Sequence, residues 1–285
     1  MNKQIKLVIV DMDGTILDPE QPVAVSVGVQ AAIAQAQAAG VPVTIATGRP
    51  LDYVCKTLAR YNLGITTPVV TTQGAVIGDP VTGAVVDELD MPLEAARATA
   101  AWADAHDEVV MFYFLQPDGS SLYVQNQEKW TPETYNIWFS DQRELRPQLA
   151  PLFAEDGART PLKFIIANNT PPQDPDITPA LQARFGQWLH ISRTHPSLVE
   201  GTAQGVDKGA GVRRLLKILD MDPAHVMAIG DNDNDIPMFR EVGFPVAMGH
   251  AAAHVKAAAK WIAPDIHHDG VAVALQKWIL GDQTP

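Results

Sequence analysis

Ile5-Lys6-Leu7-Val8-Ile9-Val10-Asp11-Met12-Asp13-Gly14-Thr15 begins as a strand and ends in a pair of carboxylates. The run from Ile5 to Val10 is apolar and rich in β-branched residues, with Lys6 its one charge. That pattern suits a strand buried on both faces of a parallel sheet. Residues two apart on an extended chain point to the same side, so Asp11 and Asp13 can face one point. In open α/β sheets that point, beyond the carboxyl ends of the strands, is where ligands bind. Two like charges held there are costly unless a cation or a proton lies between them. Gly14 permits the tight turn and lets its amide approach an anion.

The rest of the chain limits what this strand end can serve. At 285 residues and 46% hydrophobic content the chain can build one large domain or two smaller ones. The formal charge of −12 excludes a general nucleic-acid binder, which needs a basic surface. A phosphorylated small molecule is compatible with it, because such a ligand needs only local positive charge. No run approaches ~20 apolar residues, so no membrane span is expected. The first strand begins almost at the N-terminus, leaving no room for a signal peptide. Cys55 is the single cysteine and rules out an intrachain disulfide, which fits a reducing cytoplasm.

Working outward, Val25–Ala39 reads as a helix stopped by Gly40, and Val41–Ala46 as a second buried strand. It ends in Thr47-Gly48-Arg49-Pro50 before a helix from Leu51 to Tyr61. Taken alone, Thr47 reads as a helix cap and Arg49 as a surface charge. In a phosphate site, Thr47 offers a hydroxyl and Arg49 a guanidinium fork. Pro68–Thr72 is a third strand. Beyond it the pattern changes to hairpins mixed with helices: Ala75–Ile77 with Ala84–Asp87, and Val109–Leu115 with Ser120–Gln125. A helix over Pro92–His106, a strand over Leu162–Ala167, a helix over Thr178–Phe185 and a strand over Trp188–Ser192 complete this part. It reads as an α+β module inserted into a parallel one. Trp130, Tyr135, Trp138 and Phe139 cluster there and are expected to form the module's own core or its contact with the other domain rather than a substrate pocket. Spacing does not place its Lys163 and Arg193, and both are expected to be surface charges.

After Glu200 the parallel pattern returns. Asp207 can cap a helix over Ala210–Leu219, leaving Lys208 at a helix start, where the dipole disfavours a cation unless anions lie nearby. The strand His225–Ile229 ends in Gly230-Asp231-Asn232-Asp233-Asn234-Asp235. Three carboxylates in five residues after a buried strand repel one another, and a hard cation such as Mg2+ relieves that with oxygen ligands. An EF-hand is excluded, since Ile236 and Val242 stand where its Gly and Glu are required. Phe244–Met248 and Trp261-Ile262 are further strands, and Val271–Leu280 is a last helix. The eight histidines show no metal-ligand spacing.

In order, Asp-x-Asp-Gly-Thr, Thr-Gly-Arg, Lys-Gly and Gly-Asp-x-x-Asn-Asp resemble the four motifs of the haloacid dehalogenase superfamily. Gly205-Val206-x-Lys208-Gly209 and the Asn234, Asp235, Met238 form of the last motif resemble its Cof-type phosphatase branch, which carries an α/β cap between the second and third motifs. The resemblance implies a doubly wound, Rossmann-like parallel sheet core over 1–86 and 199–285, and a cap over 87–198 that selects the substrate. It implies a phosphatase acting on a small phosphorylated metabolite, with Asp11 as nucleophile and Asp13 as general acid and base. Mg2+ would be held by Asp11, the Asp13 carbonyl and Asp231, with Asp235 in support. Gly14, Thr47, Gly48, Arg49, Lys208 and Asn234 would bind the phosphoryl group, Asn234 touching it or orienting Lys208.

Three positions depart from the branch's usual pattern. Gln73 stands for Asn, His250 for Asn and His268 for Glu, and none removes a catalytic group. A phosphomutase or phosphotransferase would share every motif but exclude water. A phosphate-responsive receiver would not need the second carboxylate at nucleophile plus two, nor the insert. No nucleic-acid or membrane partner is expected, and the chain reads as a monomer or homodimer.

Overall fold

The computed structural model describes residues 5–18, 24–106, 108–129, 131 and 142–281. The chain forms two compact units, residues 1–86 with 207–285, and residues 87–206. The first unit starts with β1 (Leu7–Val10), α1 (Val27–Ala38), β2 (Val43–Ile45), α2 (Leu51–Arg60), β3 (Val69–Thr71), β4 (Val76–Gly78) and β5 (Val85–Glu88). The second contains α3 (Leu93–His106), β6 (Val110–Leu115), β7 (Ser121–Gln125), β8 (Arg143–Leu145), β9 (Lys163–Ala167), α4 (Thr178–Phe185), β10 (Leu189–His195) and β11 (Leu198–Ala203). The chain then returns to the first unit through α5 (Lys208–Ile218), β12 (Val226–Gly230), α6 (Ile236–Arg240), β13 (Phe244–Ala247), α7 (Ala253–Ala257), β14 (Trp261–Ile262) and α8 (Gly270–Leu275).

The first unit is a five-stranded parallel sheet in the order β14-β13-β12-β1-β2. All four residues of β1 are buried, as its unbroken apolar run requires, because helices cover both faces. Leu7 and Ile9 pack with Val212, Leu215 and Leu216 of α5 and with Phe239 of α6. Val8 and Val10 alternate to the opposite face. The strand order reverses at β1: β2 lies on one side and β12, reached much later in the chain, on the other. Both β1 and β12 therefore deliver their following loops to the crevice at the switch point, where α/β sheets bind ligands.

β3 does not extend this sheet as an equal member. It touches β2 through a single parallel bridge, Ala46 to Val70, and pairs antiparallel with β4 in a separate sheet ordered β3-β4-β5. The local stops are those the sequence offers. The Ser26 hydroxyl accepts from the Val29 amide at the start of α1, and Gly40 takes a φ of 85° just beyond its end.

The second unit is a six-stranded sheet ordered β10-β11-β9-β6-β7-β8. Its pairs are antiparallel except β7 with β8. Val110, Phe112, Phe114, Phe164 and Ile166 on one face pack with Ala96 and Ala100 of α3 and with Leu181 and Phe185 of α4. The C-terminal boundary of the insert is corrected here. Leu198–Ala203 is a full strand of this sheet, paired with both β10 and β9, so the unit closes at 206 and not at 198. The alternation of that strand is broken by Gly201, whose place under the Phe164 ring leaves no room for a Cβ. Trp130, Tyr135, Trp138 and Phe139 lie outside the described residues.

The two glycines that open α5 act through packing. A Cβ on Gly209 would lie 2.6 Å from the Pro237 carbonyl oxygen, and one on Gly211 would lie 2.5 Å from Val70 Cγ1 and 2.7 Å from Gly74 Cα. Their absent side chains seat the N-terminus of α5 against α6 and the β3 turn. Gly to Ala in a helix ordinarily gains up to about 1 kcal/mol. Here Gly211→Ala is expected instead to lose about 1–3 kcal/mol through overpacking, read as a lower denaturation midpoint at unchanged m-value.

Candidate active site

Asp11 leaves β1 at the switch point with its amide donating to Ile229 O of β12 at 2.9 Å. Its side chain is 4% exposed. Lys208 stands at the first position of α5, whose start is fixed by Asp207 Oδ1 accepting from the Ala210 amide at 2.7 Å. From there Lys208 Nζ donates to Asp11 Oδ1 at 2.6 Å and to Asp235 Oδ1 at 2.7 Å. A cation at a helix N-terminus opposes the dipole, and these two carboxylates outweigh that cost. Burial by itself would lower the Lys208 pKa, but Asp11 and Asp235 hold the ammonium well above its ordinary value.

Asp235 is completely buried. Its Oδ1 takes the lysine, and its Oδ2 accepts the amides of Asp231 and Asn232 at 2.8 and 3.0 Å. It thus ties α5 to the loop after β12. Asp231, whose amide it holds, offers its carboxylate to Thr15 Oγ1, which donates to Oδ1 at 2.8 Å. His250 Nε2 lies 3.6 Å from Asp231 Oδ2, and that carboxylate raises the imidazole pKa above its ordinary value. One oxygen each of Asp11, Asp231 and Asp235 lies within 4.8 Å of the others. Burial and the neighbouring Asp235 and Asp231 push the Asp11 pKa well up against the pull of Lys208, and burial raises that of Asp235. Asp11 and Asp235 share one ammonium, and Asp231 beside them is met by Thr15 and His250, so the three carboxylates are short of positive charge. An all-oxygen donor set with that deficit fits a hard divalent cation.

Arg49 is not the surface charge that its motif alone suggests. It is 6% exposed, and its fork closes on Asp13, Nε to Oδ2 at 2.9 Å and Nη2 to Oδ1 at 2.7 Å. Its guanidinium also lies 4.5 Å above the Tyr53 ring. Thr47 is buried, and its hydroxyl accepts the Arg49 amide at 3.2 Å; the helix after it is entered through Pro50 with no side-chain cap. Gly48 lies so close to the Gln73 amide that a Cβ there would meet Nε2 at 2.5 Å. Gly14 takes a φ of 83°, and a Cβ on it would overlap the Asp231 carboxylate.

Asn234, expected to touch the phosphoryl group or to orient Lys208, makes no hydrogen bond to Lys208 among those of the described residues. Its Nδ2 donates to Gln73 Oε1 at 3.2 Å, its buried Oδ1 accepts no hydrogen bond among the described residues, and Lys208 is held by Asp11 and Asp235. Gln73 is itself held at a φ of 57° by the turn after β3. Thr15 and His250 are the contacts that spacing did not assign. Thr15 was visible within the Asp-Gly-Thr motif, whereas His250 reaches Asp231 only because the loop after β13 arrives beside the loop after β12. His268 lies apart from these groups, bonded to Asp265.

The chain matches the haloacid dehalogenase-like hydrolase family over residues 8–275. A 5-amino-6-(5-phospho-D-ribitylamino)uracil phosphatase of Bacillus subtilis is 30% identical over 278 residues, spanning 97% of this chain and 96% of the relative. A haloacid dehalogenase-like hydrolase from Bacteroides thetaiotaomicron superposes with a TM-score of 0.79 at 22% identity, covering 95% of this chain and 98% of that one. A sugar phosphatase of subclass IIB superposes at 0.77 with 24% identity, covering 95% and 97%.

Because the folded state raises the Asp11 pKa, it binds that proton more tightly than the unfolded chain does. The stabilisation from the proton is complete below the unfolded value and is lost as pH rises through the folded one. Asp11→Asn removes the charge and keeps an oxygen for Lys208. The metal-free variant is therefore expected to melt above the metal-free wild type at pH 8, with the gap shrinking as the buffer is made acidic. A gap independent of pH in calorimetry would show that Asp11 carries no such strain.

Proposed function

The chain belongs to the haloacid dehalogenase-like hydrolase family and is a phosphoric monoester hydrolase, and we propose that it cleaves a small phosphorylated metabolite by way of an aspartyl-phosphate on Asp11, with Mg2+ as cofactor. The observation that carries this reading is the buried Asp11, tied to Lys208 at the switch point, with a second carboxylate two residues on. A substrate of the sugar phosphate or cofactor phosphate class is supported by the two relatives. One acts on a phosphorylated ribitylaminouracil and the other is a sugar phosphatase.

Asp11, Asp231 and the Asp13 carbonyl would hold Mg2+, and Asp235 supports them. When bound, the ion neutralises charge on the transferring phosphoryl group. The Asp11 oxygen attacks phosphorus while the bond from phosphorus to the ester oxygen breaks, and Asp13 gives that oxygen its proton. Asp13 then takes a proton from water as the water cleaves the acyl phosphate, which restores Asp11 and releases phosphate. Lys208, fixed in the charged state, offsets the charge that builds on the phosphoryl oxygens. Arg49 positions the Asp13 carboxyl group through both of its oxygens. Donation in the first step requires that fork to loosen. The second unit is where substrate choice resides.

Two measurements test this. Activity is expected to vanish in excess EDTA and to return with Mg2+, while Ca2+ supports it poorly because a larger, less demanding ion would occupy both Asp11 oxygens. Full turnover after verified metal removal would defeat the metal assignment. With an activated aryl phosphate, Asp13→Asn is expected to give a burst of alcohol near one per site. Slow turnover should follow, reduced by about 10²–10⁴. With labelled phosphate in the ester, the Asp13→Asn protein should trap label on Asp11, and Asp11→Asn should give neither burst nor label. Equal steady turnover by the Asp11→Asn protein, or label on a histidine or serine, would overturn the mechanism.

A further inference from the structure

The turn after β3 runs against the ordinary preference of its residues. Thr72, Gln73 and Gly74 take φ values of 53°, 57° and 91° in succession. Glycine adopts that left-handed conformation freely, whereas a β-branched threonine and a long glutamine do not. Two such residues in a row persist only where the surroundings hold them, and strain of this kind gathers at working sites. Here the loop after β2 holds them. The Thr72 amide donates to Arg49 O at 2.8 Å and the Gln73 amide to Thr47 O at 3.1 Å. Gly74 O accepts from Arg214 Nη1 at 2.8 Å.

The strained turn sets the direction of one side chain. Gln73 is buried, and its carboxamide lies between loops that follow two different strands. Toward the loop after β2, Nε2 sits so close to Gly48 that a Cβ there would meet it at 2.5 Å. Toward the loop after β12, Oε1 accepts from Asn234 Nδ2 at 3.2 Å. That bond uses one of the two Nδ2 hydrogens, and Asn234 Oδ1 stays buried with no donor among the described residues. A buried oxygen without a donor costs stability, as does each left-handed residue other than glycine. Folding alone does not select this arrangement.

We propose that Gln73 is a positioning residue of the phosphoryl site: through Oε1 it fixes the plane of the Asn234 amide and aims the second Nδ2 hydrogen at a phosphoryl oxygen beside Thr47 and Gly48. The inference rests on the phosphatase reading above and on Thr47, Gly48 and Asn234 as the groups that take the phosphoryl oxygens. A carboxamide suits this task because it orients a donor without adding charge to a site already rich in carboxylates. Gly48 completes the arrangement, since any side chain there displaces the glutamine amide. Asparagine at position 73 would take the left-handed conformation with less strain, but it is one methylene shorter and falls short of Asn234. The strain at Gln73 is what gives the side chain its reach.

The test uses the full-length protein with Mg2+, nitrophenyl phosphate as substrate and inorganic phosphate as competing ligand. Gln73→Asn and Gln73→Gly both relax the turn and are expected to melt at or above the wild-type temperature. Each is expected to raise KM and the inhibition constant of phosphate by about tenfold, the worth of one hydrogen bond to a charged group, with kcat held within about threefold. In an Asn234→Ala protein the same changes at position 73 are expected to move the phosphate constant by less than about twofold, because no amide is left to aim. An unchanged phosphate constant in either single variant, with wild type active, would overturn this proposal alone and leave the turn a feature of the fold. A further tenfold or so loss in the Asn234→Ala protein would overturn it too, since Gln73 would then act by another route. Failure of wild type to hydrolyse nitrophenyl phosphate would instead remove the phosphatase reading, and the proposal with it.

Discussion

A single buried ammonium between two carboxylates organises the catalytic unit. Lys208 stands at a helix start that disfavours it, in surroundings that would ordinarily strip its proton, and Asp11 and Asp235 reverse both effects. Because Asp11 closes β1, Asp235 follows β12 and Lys208 opens α5, these contacts fix three elements at one point. Asp235 extends the tie by holding the amides of Asp231 and Asn232. The arrangement still leaves the carboxylates under-neutralised, which is the electrostatic condition for taking up a divalent ion and a phosphoryl group together.

The packing around that contact explains residue choices that have no chemistry of their own. Lys208 reaches Asp11 only because Gly209 and Gly211 let α5 sit against the Pro237 carbonyl and the turn at Gly74. Gly14 does the same for Asp231, which fills the space a Cβ would need. Arg49 and Asp13 form a second ionic contact beside the first. One is wholly buried and the other keeps its carboxylate partly exposed.

The second unit solves a different physical problem. Its sheet buries apolar residues against helices on one side, and on the other side a buried ion pair, Lys163 with Glu200, sits beside the apolar cluster of Met111, Tyr113, Tyr123 and Ile165. The Lys163–Glu200 pair belongs to that second face, where desolvation makes each polar group expensive unless it is matched.

The parallel core, the insert and the order of the acidic and basic motifs were all legible in the chain. Their signals are local: β-branched runs, a glycine after a helix, carboxylates at strand ends. That Asp11, Asp231 and Asp235 come together was legible this way because strand ends at a switch point converge whatever the intervening chain does. The sequence was silent or misleading wherever the answer depended on which distant side chain arrives beside another. It placed the end of the insert before Leu198–Ala203, because a strand's apolar pattern does not state which sheet it joins. By their local context it left both Arg49 and Lys163 as surface charges, because burial of a charge depends on a partner 36 or 37 residues away. It left Asn234 to touch the phosphate or to orient Lys208, and it did not foresee that Asp235 holds the lysine and Gln73 the asparagine amide. Local propensity and periodicity determined the elements and the chemistry at their ends. Only tertiary structure decided how the charges pair, because pairing energy depends on distance and desolvation, and neither is a property of neighbouring residues in the chain.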